Sequence, residues 1–99
     1  MLERKDILDF LRLKKDDFFT EFSLTKLGLF GSFAKNHSSE DSDIDLMIEF
    51  EENTQNLYDK KHALRRLLQE QFNRNVDICR EKYLKTYYRD RILQEVIYV

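Results

Sequence analysis

The sequence predicts a small α/β (α+β) domain in which a small mixed β-sheet is flanked by helices. Three observations carry this expectation. Short apolar runs stand at Leu24–Phe30, Ile44–Phe50 and Asn75–Cys79. Segments with apolar residues three and four positions apart lie before, between and after those runs. The chain contains no proline, no low-complexity linker and no internal repeat. Short apolar runs bounded by polar clusters read as strands, and the longer period reads as helix. Alternating the two gives a sheet that helices can cover. A length of 99 residues leaves room for one core, so residues 1–99 are expected to form a single domain.

Taken in order, Ile7, Leu8, Phe10 and Leu11, then Phe18, Phe19 and Phe22, describe one or two amphipathic helices ending near Ser23. The Lys14-Lys15-Asp16-Asp17 patch reads as a kink or short turn between them. Leu24–Phe30 is a strand that runs into a tight turn at Gly31-Ser32, and Lys35–Ser42 is polar loop. Ile44–Phe50 starts with acidic and apolar alternation and then stays apolar through Leu46-Met47-Ile48, which suits a mostly buried strand. Asn53 or Thr54 can cap a helix beginning near Gln55, with Leu57, Leu64, Leu67, Leu68 and Phe72 on one face. After the Asn75–Cys79 strand, Tyr83 to about Ile92 is helical again. The apolar end Val96-Ile97-Tyr98-Val99 has three open fates: an added strand, part of a partner interface, or a return into the core.

Composition narrows the function classes. The net charge is −2, which argues against general nucleic-acid or membrane-surface binding. No apolar run approaches the length that spans a bilayer. The start, Met1–Asp6, enters a charged helical pattern without the apolar stretch of a signal peptide, and a lone Cys79 cannot form an internal disulfide. A cytoplasmic location is expected. Acidic residues crowd the segment from Glu40 to Glu52, whereas Lys and Arg dominate the second half. That arrangement suits a metal ion carrying a polyphosphate, and equally suits two solvated surfaces of opposite sign.

Three features carry chemistry. Gly31-Ser32 ends an apolar strand, where glycine permits positive φ and close approach of a ligand. The following serine offers a hydroxyl and free backbone N–H groups to phosphate oxygens. Ser42-Asp43-Ile44-Asp45-Leu46 places two carboxylates two residues apart, hence on one side of a strand. Carboxylates held side by side repel unless a cation sits between them. Mg²⁺ is the natural guest, because it prefers oxygen ligands and shares them with phosphates. Asp77 lies between Val76 and Ile78 in another apolar run, and would join the pair if its strand lay beside theirs. Each feature alone has an ordinary reading as a turn, a solvent-facing edge or a strand-end residue.

Together, Gly28-Leu29-Phe30-Gly31-Ser32-Phe33-Ala34-Lys35, the spacer to residue 42, the Asp43-Ile44-Asp45 pair and the later Val76-Asp77-Ile78 run resemble the minimal nucleotidyltransferases of the DNA polymerase β-like superfamily. The resemblance spans essentially the whole chain. One departure is Asn36, where the family often has glycine after a basic residue. Asparagine tolerates left-handed backbone, so the turn is expected to survive.

The resemblance implies a polymerase β-like core and nucleotidyl transfer, in which an acceptor attacks the α-phosphate of ATP and pyrophosphate leaves. It implies two Mg²⁺ ions about 3.5–4 Å apart, with Asp43 and Asp45 as ligands of both and Asp77 on the side of the nucleophile. Gly31, Ser32 and Ser42 fall to the nucleotide, the first two at its β- and γ-phosphates. Lys35 and Arg80 are candidate phosphate-neutralising groups, although solvated surface charge is the plainer reading of both. His37 and His62 read as solvated, Cys79 as a packing residue, and Tyr87 and Tyr88 as packing rather than modification sites. Stand-alone members often pair with a HEPN-domain ribonuclease toxin, which implies a hetero-oligomer with that partner and AMP transfer to one of its tyrosines. Two alternatives stand beside this: an antitoxin that neutralises by binding alone, and a nucleotidyltransferase acting on RNA or a small molecule.

Overall fold

The computed structural model describes residues 1–99. Two N-terminal helices, α1 (Arg4–Leu13) and α2 (Lys15–Phe22), are separated by Lys14, as the charged patch suggested. Ser23 ends α2 in the left-handed conformation (φ 56°) and turns the chain into β1 (Leu24–Phe30). A single helical turn, α3 (Gly31–Ala34), and a polar loop lead to β2 (Ile44–Phe50). The long helix α4 (Leu57–Phe72), β3 (Val76–Arg80), a 3₁₀ turn (Glu81–Tyr83), α5 (Thr86–Glu95) and β4 (Ile97–Tyr98) complete the chain.

The sheet order is β3-β2-β1-β4. β1 runs antiparallel to both β2 and β4, whereas β2 and β3 are parallel and joined through α4. The sheet is therefore mixed, as expected. Ile44, Leu46, Ile48 and Phe50 of β2, Leu27 and Leu29 of β1, and Val76 and Ile78 of β3 point to one face. There they join Ile7, Leu8 and Leu11 of α1, Phe18 and Phe22 of α2, and Leu64 and Leu68 of α4 in one apolar cluster of 18 buried residues. Burying such side chains is the main driving force for the fold, at roughly 1.5–3 kcal/mol each. The opposite face of β2 carries Asp45, Met47 and Glu49.

Two helix starts differ from expectation, and the C-terminal tail takes one of its three open fates. Helix α4 begins at Leu57, not Gln55, and its N-cap is Asn56 in the left-handed conformation (φ 58°). Asn53 is also left-handed (φ 63°), and the Thr54 hydroxyl donates to the Glu51 carbonyl, so both potential caps are spent on the preceding turn. Helix α5 starts at Thr86, because Tyr83 closes the 3₁₀ turn and Leu84 and Lys85 are extended. The C-terminal tail becomes a strand. Gly28 pairs with Tyr98, and Val99 N–H donates to the Leu27 carbonyl at 2.9 Å. A Cβ on Gly28 would come within 2.5 Å of Val96 Cγ1, so this glycine is what lets the tail lie against β1. No helix is long and apolar enough to cross a membrane.

Candidate active site

The site lies where β1 turns into α3, on the sheet face opposite the main core. β1 and β2 pair with Phe30 opposite Asp45, which brings the Gly31-Ser32 turn beside the Asp45 side chain. Gly31 has φ +76°, and a Cβ there would collide with the Asp45 carboxylate. Both conditions demand glycine. The turn is held by Lys35 N–H to the Gly31 carbonyl (3.1 Å) and His37 N–H to the Ser32 carbonyl (2.9 Å). Asn36 takes φ 63°. The left-handed geometry expected of this asparagine is therefore present, and the departure from glycine leaves the turn intact.

Parallel pairing of β2 and β3 sets Asp45 directly opposite Asp77. The placement of the third carboxylate beside the second, which the sequence made conditional on strand neighbourhood, thus follows from register. Asp43 corrects the sequence picture in one respect. The strand begins at Ile44, so Asp43 is an exposed loop residue immediately before it and not a strand partner of Asp45. Its charge still reaches the site. Burial, then the charge of Asp77, then that of Asp43, push the half-buried Asp45 carboxyl up to about 6. None of the ion pairs in the protein involves Asp43, Asp45 or Asp77. The three side chains do not converge on one point as a closed set of ligands.

The donor set fits a hard divalent cation. It offers only carboxylate oxygen, on three side chains, around a residue whose ionisation the surroundings oppose. Asp43, in the loop, and Asp77, on a strand at the sheet edge, are exposed, and Asp45 is the enclosed member.

The remaining candidates separate clearly. The Ser42 hydroxyl accepts the Ser39 N–H at 2.8 Å and lies 3.3 Å from the Ser39 hydroxyl. Lys35 pairs with Glu95 of α5 at 3.3 Å. Arg80 is not a solvated charge: its side chain is only 15% exposed, paired with Glu49 at 2.8 Å. Its guanidinium lies between the rings of Phe50 and Tyr83, 5.4 and 5.1 Å from their centroids. Its partners are Glu49 and two aromatic rings, and no ion pair joins it to the three carboxylates. Glu49 sits with it: burial alone would raise its pKa, but the Phe50 N–H, Arg80 and the Lys82 N–H together lower it. Cys79 is half-buried and burial pushes its thiol up, away from the nucleophilic thiolate. His62 stacks on Tyr58 and meets Arg65 Nη2 at 2.7 Å. Tyr87 and Tyr88 pack edge to face. Sequence reasoning missed Arg74, whose Nη1 reaches three carbonyls of the loop before Asp43.

A mixed sheet with a Gly-Ser turn on one strand and carboxylates on or beside the next two is the frame of a nucleotidyltransferase. The chain belongs to that family: the nucleotidyltransferase domain model matches residues 11–99. Among named relatives, it is 31% identical to the protein adenylyltransferase MntA of Thermococcus cleftensis, over 100% of this chain and 98% of that protein. It is 30% identical to a Methanocaldococcus jannaschii protein provisionally named a protein adenylyltransferase, over 95% of each. Among solved structures it resembles one provisionally described as a minimal nucleotidyltransferase, with TM-score 0.71 and 29% identity over 91% of this chain and 93% of that one. The fold is shared with a toxin–antitoxin crystal structure containing AMP-PNP, at TM-score 0.66 and 18% identity over 86% of this chain and 68% of that one.

Proposed function

We propose that this chain is a protein adenylyltransferase that moves AMP from ATP to a tyrosine of a HEPN-domain ribonuclease toxin, and so acts as that toxin's antitoxin. The observation that carries the chemistry is the half-buried Asp45, with Asp77 opposite it, Asp43 just before its strand and the Gly31-Ser32 turn against its carboxylate. The acceptor class is supported by full-length similarity to a protein adenylyltransferase. The toxin partner is supported by the fold shared with toxin–antitoxin structures.

In this reading Asp43, Asp45 and Asp77 would hold two Mg²⁺ ions, whose chemistry there would be charge neutralisation of the triphosphate and of the pyrophosphate leaving group. Gly31 and Ser32 meet the β- and γ-phosphate oxygens through main-chain N–H groups and the serine hydroxyl, with Ser42 O–H beside them. The acceptor's phenol oxygen bonds to the α-phosphorus as the bond from that phosphorus to the bridging oxygen breaks. Pyrophosphate leaves with the bonding pair, and Asp77, on the exposed edge, takes the phenol proton. The residues contribute mainly positioning and charge compensation.

The test is incubation of the protein with ATP labelled at the α-phosphate, Mg²⁺ and a lysate of its host, beside an Asp43→Asn/Asp45→Asn variant. A labelled protein band that vanishes with the variant supports the proposal, and mass spectrometry of the band names the acceptor residue. Label in RNA or a small molecule overturns the toxin-modifying role. Toxin neutralisation that survives the double substitution overturns the need for transfer.

A further inference from the structure

The turn between α4 and β3 holds a cation with no carboxylate partner. Arg74 takes part in none of the ion pairs. Its Nη1 instead donates to the carbonyls of Ser39 (3.1 Å), Glu40 (2.9 Å) and Ser42 (2.9 Å). Its guanidinium carbon lies 5.3 Å from the centroid of the Phe33 ring, which is buried in α3. One side chain therefore touches both segments that build the site: the loop that delivers Asp43 and the helical turn that starts at Gly31-Ser32.

The positions of those bonds matter more than their number. The Ser42 carbonyl belongs to the peptide unit that leads into Asp43. The next peptide unit, leading out of Asp43, is held by Ile44 N–H donating to the Asn75 carbonyl at 2.9 Å. Arg74 and its neighbour Asn75 thus grip the backbone on both sides of Asp43. Other local restraint on the loop comes from the small Ser39–Ser42 turn, with Ser39 N–H to Ser42 Oγ at 2.8 Å and Ser42 N–H to the Ser39 carbonyl at 3.2 Å. A loop of exposed polar residues fixed so lightly would otherwise let its terminal carboxylate wander.

We propose that Arg74 is the positioning residue for Asp43: it fixes the backbone that carries this carboxylate and, by stacking on Phe33, ties it in register with the Gly31-Ser32 turn. The inference rests on the carboxylate reading of the site given above. Arginine suits the role because one planar group supplies both the donors and the stacking face. Lysine keeps three donors without the plane, and methionine keeps the apolar stem without donors.

The experiment compares Arg74→Ala, Arg74→Met and Arg74→Lys with wild type and with Asp45→Asn. Amide hydrogen exchange is followed in EDTA, and Mn²⁺ titration in the presence of a non-hydrolysable ATP analogue. The expected result for Ala and Met is exchange at the Ser39 and Ser42 amides at least about tenfold faster, with β1 and β2 amides unchanged. Mn²⁺ affinity should fall roughly 10- to 100-fold, as for loss of an outer partner of a metal ligand, and Lys, which keeps donors but not the stacking face, should recover part of it. Unchanged loop exchange or unchanged Mn²⁺ affinity in both Ala and Met overturns the proposal. Should Ala disturb the core amides, the Met–Lys pair decides, and equal Mn²⁺ affinity of those two overturns it. Failure of the underlying site reading looks different: wild type and Asp45→Asn would then bind Mn²⁺ alike, while the exchange data still judge the hold on the loop.

Discussion

Replacing Asp45 by asparagine should make the protein more stable while removing its activity. The folded environment pushes this carboxyl from the ordinary 3.8 to about 6, through burial and the charges of Asp77 and Asp43. At about 1.36 kcal/mol per tenfold change in proton affinity, such a rise corresponds to ~3 kcal/mol opposing the charged form. The side chain is only half-buried, so solvent screening reduces this to ~1–2 kcal/mol. An acid whose folded pKa lies above its unfolded value binds protons more tightly when folded. The penalty is therefore fully present above about pH 6 and fades as the pH falls toward 3.8. In EDTA at about pH 7.5, Asp45→Asn should unfold with a midpoint raised by roughly 5–15 °C for a domain of this size. The advantage should shrink to near zero at about pH 4. Adding Mg²⁺ with ATP should narrow the gap at high pH by stabilising wild type alone. Thermal unfolding of both proteins across the pH range, with and without Mg²⁺-ATP, measures all of this. An Asp45→Asn variant less stable than wild type at pH 7.5 in EDTA would refute the reasoning, because Asp45 would then be stabilised by its surroundings and not strained by them.

Other outcomes follow from particular contacts. Asp77→Asn should lower AMP transfer by roughly 100-fold or more while leaving the melting temperature in EDTA unchanged or raised, read by labelled-ATP assay and calorimetry. Gly31→Ala meets both the positive φ and the Asp45 carboxylate. It should cost about 1–2 kcal/mol from the backbone alone, and nucleotide binding by calorimetry should be lost with it. Gly28→Val forces a side chain into Val96 and Tyr98. It should detach β4, costing about 1–3 kcal/mol, with faster exchange at the Val99 amide as the signature. Arg80→Ala removes the partner of Glu49. Glu49 has a lowered folded pKa, so its contribution is present at neutral pH and lost as the pH falls through that value. The substitution should cost about 1.5–3 kcal/mol at neutral pH and less in acid, measured by denaturant unfolding.

Much of this molecule was legible locally. Strand boundaries at Leu24, Phe30, Ile44 and Phe50 follow from short apolar runs, and the Gly31-Ser32 turn from a glycine at a strand end. The candidate carboxylates stood out because acidic residues on apolar runs are anomalous. Where reading by pattern failed, the deciding partner lay far along the chain. Placing Asp43 on the same side as Asp45 relied on strand alternation, which starts at Ile44 and does not reach this loop residue. Arg80 read as surface charge because nothing nearby announces Glu49, Phe50 and Tyr83 closing around it. Asn53 and Thr54 were plausible caps until the turn used them first.

The sequence by itself determined which segments up to α5 are helix or strand, the apolar face that each presents, and the identity of the three acidic residues, because periodicity and side-chain chemistry are properties of a short window. The tertiary structure alone decided that Asp77 stands opposite Asp45, since parallel register depends on how α4 returns the chain. It alone sent Val96–Val99 to the edge of β1, where the missing side chain of Gly28 makes room. It alone gave Arg74 its three acceptors. Those acceptors are main-chain carbonyls, which every residue carries, so no pattern of side chains can mark them in advance.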